Sequence, residues 1–453
     1  MKFGAAFTLF SSFVSTALAV SFIVPGAVWS DTSGAKIQAH GGHVIKVGST
    51  FYWLGYSTTA GVRPNIYTST DLMNWTHFGI ASTAVSAMYR PKFVSSGGKW
   101  YIWGQVNREI VTLVAPGSSP LSTAYTLTGS PQLLPPDARS FSDMGVFVAD
   151  NGAYRYPHTR EPYPNYYRQD QATSSPVPTL TTFKSTTSML GTQSRLAVES
   201  QILASGSLEG PGMFKSSGGV YYLIMSQKTG YRSNPNKVYW APSLAGPWSG
   251  GTDIAPESAN TYNSQNSAEL VIKGTSTTSY IFLGDAWDST GSDASNYEWL
   301  PITVSDSAHT LTLQNLSMWT VNPNTGVVSS SGFSNITIKA ADGIVSGSAV
   351  VKKRAVHNIN SSSNVTFNNI IGKGDKQWVS FEYAVNNVTA GEAHVVVNGG
   401  APVNLSQLNS RAGHYSTVPV ALELQKGVNT LTFGATGHDF EAHLEGIQVF
   451  DDY

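Results

Sequence analysis

Two carboxylates stand out in this chain of 453 residues because turn-forming neighbours surround them. Glu209 lies in Leu208-Glu-Gly-Pro-Gly-Met-Phe214, where small residues let the backbone turn and leave a carboxyl facing a cavity. Asp143 follows Arg139-Ser-Phe-Ser and precedes the strand-like Gly145-Val-Phe-Val148 and the turn Asp150-Asn-Gly152. Two carboxyl groups suit acid–base work: cleaving a glycosidic bond takes a proton given to the leaving oxygen and a base or nucleophile on the other side of the ring. From the residues alone, Glu209 is also readable as a solvated turn glutamate and Asp143 as a strand-entry turn residue.

Other chemistries are poorly supplied. The chain has no cysteine, which excludes disulfides and thiol catalysis. His40 and His43 are three positions apart in Ala39-His-Gly-Gly-His43, but two imidazoles do not complete a zinc site. His40 is expected to hydrogen-bond a polar ligand or line a central cavity, and His43 to be structural. A net charge of −1 with 12% charged residues offers no basic face for nucleic acid and no polybasic membrane anchor. Aromatics make up 11% of the chain, including 21 Tyr and 11 Trp. That composition suits short strands joined by tight turns, and it also suits binding of neutral sugars by ring faces; both uses stay open.

The elements that must hold these residues are strands. A Gly, Ser, Thr or Asn turn followed by an aromatic strand recurs five times: Gly48–Leu54, Gly98–Trp103, Asn151–Tyr156, Gly219–Ile224 and Thr277–Leu283. The spacing leaves room for a four-stranded sheet per unit, which predicts a five-bladed β-propeller over residues 21–328. An irregular β-sandwich is the alternative. Ser69–Trp75 and Ser243–Trp248 each set a turn before a Trp that can pack between sheets, and no long segment has helical periodicity. Ser329–Gly332 reads as a linker, and residues 333–453, with short alternating strands and the Asn398-Gly-Gly400 turn, read as a β-sandwich of jelly-roll type. At the other end, Lys2, an apolar run and Ala17-Leu-Ala19 read as a signal peptide over residues 1–20, so a secreted, extracellular protein is expected. Seven N-x-S/T sequons, at Asn74, Asn315, Asn335, Asn360, Asn364, Asn387 and Asn404, are candidate glycosylation sites in such a protein.

Several phrases, in order, resemble glycoside hydrolase family 43, in particular its fungal exo-β-1,3-galactanase branch (subfamily 24-like) with a C-terminal carbohydrate-binding module of the family 35 type. They are Trp29–Gly34 through Ile37–Gly41, Tyr89-Arg-Pro-Lys92, Leu208–Gly212, Asn234-Pro-Asn-Lys237, Leu244–Ser249 and Ser264-Gln-Asn266. The resemblance implies a five-bladed propeller with a central site and hydrolysis with inversion. By position it makes Glu209 the general acid and Asp143 the residue that orients it and tunes its pKa. It also implicates Gln265 in handling water where the wider family uses an aspartate, with Gln38 assisting and Asp31 a weaker alternative base. His40, Arg90, Tyr262, Asp285 and Trp287 fall at substrate-site positions, with Lys92 beside them.

The pattern departs at two places. Tyr89 and Tyr56 stand where the galactanase branch carries glutamates, exchanging carboxylate charge for phenols that stack or donate a hydrogen bond. The leading expectation is an enzyme acting on β-1,3-galactan of arabinogalactan; the alternatives are a glycosidase for another arabinan, xylan or galactan, and a non-catalytic carbohydrate-binding protein. A monomer is expected, with neutral polysaccharide as partner and neither nucleic acid nor membrane. No cofactor is expected for catalysis. Related C-terminal modules hold calcium, but Asp342, Glu441 and Glu445 retain only part of the necessary acidity. Trp378, Tyr383 and Tyr415 are candidate sugar contacts there, with core packing favoured for Trp378.

Overall fold

The computed structural model describes residues 22–107, 109–128, 141–148, 154–160, 180–185, 197–203, 208–244, 246–330, 335–387, 391–405 and 413–451, the side chains of 109, 141–142, 154–160, 180–185, 197–203 and 335 excepted. The expected signal peptide and much of the proline-rich stretch after Tyr154 lie outside these residues. So do the last two positions of the expected linker, while Val328–Ser329 is a short strand paired with Thr320–Val321. Among the described residues, no helix is long and apolar enough to cross a membrane.

The aromatic hairpins fold as sheets in chain order. The first sheet is His40–Val47, Thr50–Ser57, Arg63–Ser69 and Thr76–Ile80; the second is Tyr89–Ser96, Lys99–Val106, Glu109–Val114 and Thr126–Leu127. The third runs Phe147–Val148, Tyr154–Arg160, Leu180–Ser185 and Ala197–Leu203, with Phe141–Met144 also paired to Tyr154–Arg160. The fourth is Leu208–Lys215, Tyr221–Gln227, Lys237–Ala241 and Ser249–Asp253, and the fifth is Gln265–Lys273, Thr278–Ala286, Asn296–Ser305 and Thr310–Leu313. Each recurring aromatic phrase is the second strand of its sheet or leads into it. The leading strands make a circuit of contacts: His40–Val47 touches Tyr89–Ser96, which touches Phe141–Met144, then Leu208–Lys215, then Gln265–Lys273, which returns to His40–Val47.

Apolar side chains fill the spaces between successive sheets. The fifth sheet packs on the first through Trp53, whose ring centroid lies 5.2 Å from Trp75, 4.7 Å from Tyr297 and 4.6 Å from Trp299. Trp75 is buried, as its turn phrase suggested: Asp71 Oδ1 accepts from the Met73 and Asn74 amides, and the Trp75 indole donates to the Leu72 carbonyl. Trp248 packs more loosely against the cluster of Leu208, Met213 and Leu223.

Two further sheets follow. One contains Val350–Lys352, Ala355–Ile359, Ala442–Phe450, Lys376–Val385, Ser416–Glu423 and Asn335–Lys339. The other contains Ile344–Ser346, Asn364–Gly372, Gly427–Thr436, Glu392–Val397 and Pro402–Leu405. Their facing residues share one apolar core, where Phe381 stacks on Phe433 at 5.8 Å. Tyr383 belongs to that core, fully buried with its hydroxyl donated to the Leu405 carbonyl, so it is closed to an external sugar. Trp378 packs with Val24, Ala27, Met318 and Phe450 in the seam between the two groups of sheets.

Trp53 links the beginning and end of the five-sheet series. Trp53→Ala is expected to lower the unfolding free energy by about 3–5 kcal/mol, the usual cost of deleting a buried large aromatic, as measured by denaturant titration of the full chain.

Candidate active site

The leading strands share a local irregularity. Pairing shifts between His40 and His43, between Tyr89 and Lys92, between Glu209 and Gly212, and between Asn266 and Ala268. Such bulges re-aim side chains and are common beside active sites. In three of them the residue after the leading side chain is left-handed: Gly41 at φ 59°, Arg90 at φ 50° and Gly210 at φ 60°. Glycine adopts this region without steric cost, whereas Arg90 does so against its preference. His40, Tyr89, Glu209 and Gln265 thus occupy corresponding positions at the starts of four strands.

Two of them, Glu209 and Gln265, join one hydrogen-bonded network with Arg90 and Asp143. Arg90 Nη2 donates to Asp143 Oδ2 at 2.8 Å and to Gln265 Oε1 at 2.7 Å, and its Nη1 donates to the Asn266 carbonyl at 3.1 Å. The Gln265 amide donates to Glu209 Oε1 at 2.7 Å and to Ser226 Oγ at 2.9 Å, while its oxygen also accepts from the Trp287 indole at 2.8 Å. Asp143 Oδ2 accepts the Gly210 amide at 3.0 Å, tying it to the turn that carries Glu209. Beside this network, Asp285 accepts from the Gly41 amide at 3.0 Å and lies 3.3 Å from His40 Nδ1, and the His40 ring stacks on Tyr297.

Electrostatics separate the two carboxyl groups. Burial, reinforced by the negative charge of Asp143, pushes the Glu209 carboxyl up to about 7, against the opposing pull of Arg90 and of the Gln265 hydrogen bond. Burial works against the Arg90 charge, but Asp143 and Asp285 outweigh it and hold the guanidinium protonated. Glu209 therefore retains a proton near neutrality while a cation sits close by, an arrangement suited to general acid catalysis.

The remaining candidates divide. Tyr56 is buried, forms an edge contact with Tyr89 at 5.4 Å and lies parallel to Trp287 at 6.3 Å. Tyr89 is exposed. Tyr231, which sequence reasoning missed, meets Trp287 edge-on at 5.6 Å and stands close enough to Glu209 and Asp143 to feel their charge. Gly291 makes room for it: a Cβ there would lie 2.1 Å from the Tyr231 ring. Ser226 was also missed, because a serine in an apolar strand carries no distinguishing signal.

Other expected positions serve the scaffold. Tyr262 lies within a run of left-handed residues, Asn260–Asn263, that turns it onto the cluster shared by the fourth and fifth sheets, where its neighbouring carboxylate is Glu298 rather than Glu209. Gln38 reaches the Asp293 carbonyl at 3.4 Å and accepts the Asn65 amide on its own carbonyl, which places it on the first sheet's side of the site. Asp31 closes its own turn by accepting from the Ser33 amide and hydroxyl and from the Ala35 amide. Lys92 donates to the Gly41, Gly42 and Ser267 carbonyls, joining three sheets, and burial brings it down to about 7. His43 accepts the Phe93 amide on Nε2 and is kept neutral by burial and by Lys92.

In the C-terminal sheets Glu445 is paired with Arg354 at 2.6 Å, and among the described residues no three or more His, Asp or Glu cluster as a metal-binding group.

Replacing Asp143 by Asn leaves burial in place but removes the neighbouring charge that adds to it in keeping Glu209 protonated, and leaves Arg90 less compensated. The Glu209 titration midpoint is expected to fall from about 7 towards the ordinary carboxyl range, which carbon-13 NMR of labelled glutamate reads directly.

No family model and no curated protein sequence matches the chain. Solved structures do. The exo-β-1,3-galactanase of Phanerochaete chrysosporium, with galactose, is 29% identical at a TM-score of 0.80, covering 95% of this chain and 100% of that one. A variant of that enzyme with glutamine in place of a glutamate, holding β-1,3-galactotriose, matches at the same identity and TM-score over 94% and 99% of the two chains. The exo-β-1,3-galactanase of Clostridium thermocellum shares the fold at 19% identity, with a TM-score of 0.57 over 88% of this chain and 100% of that one. The likeness runs through both groups of sheets, so over nearly its whole length the chain is similar to exo-β-1,3-galactanases of the glycoside hydrolase family 43 type.

Proposed function

We propose that this protein is a secreted glycosidase that removes galactose or short substituted units from the end of β-1,3-galactan, by inversion. Its catalytic part is a five-bladed propeller over residues 21–328, and residues 333–453 form a sandwich-type carbohydrate-binding module. The circuit of leading strands supports the first assignment, and the two sheets facing one core support the second. The observation that carries the activity is the convergence of Glu209, Asp143 and Gln265 at the starts of leading strands, with Glu209 raised to about 7, in a chain resembling a galactanase over nearly its whole length.

In this reading Glu209 protonates the departing glycosidic oxygen, and burial together with the Asp143 charge keeps it protonated until then. Gln265 acts first as a positioning residue. Its oxygen accepts from Arg90 and Trp287 and its nitrogen donates to Glu209 and Ser226, so all four hydrogen-bonding places of the amide are occupied. This differs from the expected placement of Gln265 across the sugar from the acid. Inverting carboxyl pairs stand roughly 6.5–9.5 Å apart to admit a water, whereas this amide touches Glu209 at 2.7 Å. Turning it towards water would require releasing Arg90 or Trp287.

The test is product analysis with β-1,3-galactan. Glu209→Gln is expected to reduce release by about a thousandfold or more, in the range of lost general acid catalysis and beyond, and NMR should find α-galactose as the first anomer formed. Turnover unchanged in Glu209→Gln would remove the assignment; galactan binding without product at any pH would favour a binding protein. For the intact enzyme, the high-pH limb of kcat/KM is expected near the Glu209 value of about 7, with activity falling as pH rises, because the acid must be protonated.

Tyr89 supports a second reading, in which the preferred glycan differs. It is an exposed phenol beside the network at a position where the galactanase branch has a glutamate. A ring platform predicts that Tyr89→Phe keeps kcat/KM for the preferred glycan while Tyr89→Ala lowers it by about tenfold, equivalent to ~1.4 kcal/mol. Assays across galactan, arabinan and xylan identify that glycan.

A further inference from the structure

A cleft of about 360 Å³ lies between the segment that follows the fifth sheet and the outer face of the first C-terminal sheet. Asn315 and Ser317 form one wall; Lys339, Ser380, Glu382 and Gln448 are among the residues of the other. Its volume is in the range of small-ligand sites. Two independent features mark it. Asn315-Leu316-Ser317 is an N-x-S sequon with an exposed asparagine, so the cleft contains an acceptor for an N-linked sugar. Opposite, Ser380 is 2% exposed and its buried hydroxyl has no hydrogen-bond partner. A buried hydroxyl without a partner carries a desolvation cost that a ligand hydroxyl or amide would relieve.

We propose that this cleft is a pyranose-binding site whose occupant is the first sugar of an N-glycan on Asn315, with Ser380 as a hydrogen-bonding partner. The lining is all hydroxyls, amides, charged groups and aliphatic stems, and it includes no aromatic ring. A free neutral sugar usually draws much of its affinity from a ring face, which this cleft does not provide. A tethered sugar needs little affinity, because attachment at the rim gives it an effective concentration of about millimolar or more. The Arg354–Glu445 pair, at 2.6 Å, fixes the orientation of charged donors and acceptors in the same lining. Held there, the glycan would bridge the catalytic sheets and the C-terminal sheets. This inference rests on passage through a glycosylating secretory route and is independent of the substrate proposed above.

The experiment uses the full chain secreted from a eukaryotic host, with glycopeptide mass spectrometry before and after peptide-N-glycosidase treatment of native and denatured protein. Asn315 is expected to be occupied, and its glycan to be released at least tenfold more slowly from native than from denatured protein, whereas a glycan on the exposed Asn404 is released from both. Ser317→Ala, which removes the sequon, should lower the thermal midpoint by several degrees relative to Ser317→Thr, which keeps it. Ser380→Ala should speed native release at Asn315. An unmodified Asn315, or equal release from native and denatured protein, overturns the proposal. So does binding of added β-1,3-galacto-oligosaccharide to the Ser317→Ala protein that Ser380→Ala abolishes, since that would make the cleft a site for free polysaccharide.

Discussion

One buried guanidinium ties together the parts of the site that come from different sheets. Arg90 enters from the second sheet, meets Asp143 of the third and holds Gln265 and the Asn266 carbonyl of the fifth; through Gln265 it reaches Glu209 of the fourth. A buried charge is tolerated only when it is paired and its donors are satisfied. The sheets must therefore approach until those partners are within reach, and the same approach brings the acid to its neighbours. The left-handed backbone at Arg90 belongs to this constraint. Backbone strain of this kind persists where surrounding contacts over-determine it, and here the contacts are the network itself.

Lys92 repeats the device one level deeper. Two residues along the same strand, it is buried and its ammonium is shared among carbonyls of the first and fifth sheets. Glu269 lies near enough for its charge to be felt, and burial pushes its carboxyl up to about 8. The centre of the five-sheet series is thus polar and spread over several strands, while the apolar packing lies between sheets around the Trp53 cluster. Apolar contacts set how the sheets stack, and the central charges set their register at the site.

This division explains what the sequence made legible. Aromatic strands between turns are a local signal, and the five recurrences fall on or lead into the second strands of their sheets. Glu209 was visible for a related reason, since the glycines and proline beside it mark a place where the backbone must turn. Arg90 shows where that signal fails: it takes the same left-handed turn without a glycine, so its role emerges only once its partners, 53 to 176 residues away, are brought beside it. Ser226 and Tyr231 acquire meaning the same way, through Gln265 and Trp287. Tyr262 is the converse: it is adjacent in sequence to the Ser264-Gln-Asn266 phrase, but the run of left-handed residues turns it out of the site.

The raised Glu209 carboxyl also makes stability depend on pH. Its folded-state value of about 7 exceeds the ordinary 4.5, so the folded chain binds this proton more tightly than the unfolded chain does. The resulting contribution to folding is full below about pH 4.5 and is lost as the pH climbs through about 7. A glutamate kept protonated by burial is therefore best accommodated in mildly acidic surroundings, where under the proposed mechanism the same proton would serve both catalysis and the fold. Asp143 adds to this effect of burial by repulsion, and its carboxylate is fixed in place by hydrogen bonds from Arg90 and the Gly210 amide. Only Asp143 has the cation as a direct partner; Glu209 meets Arg90 through the Gln265 amide.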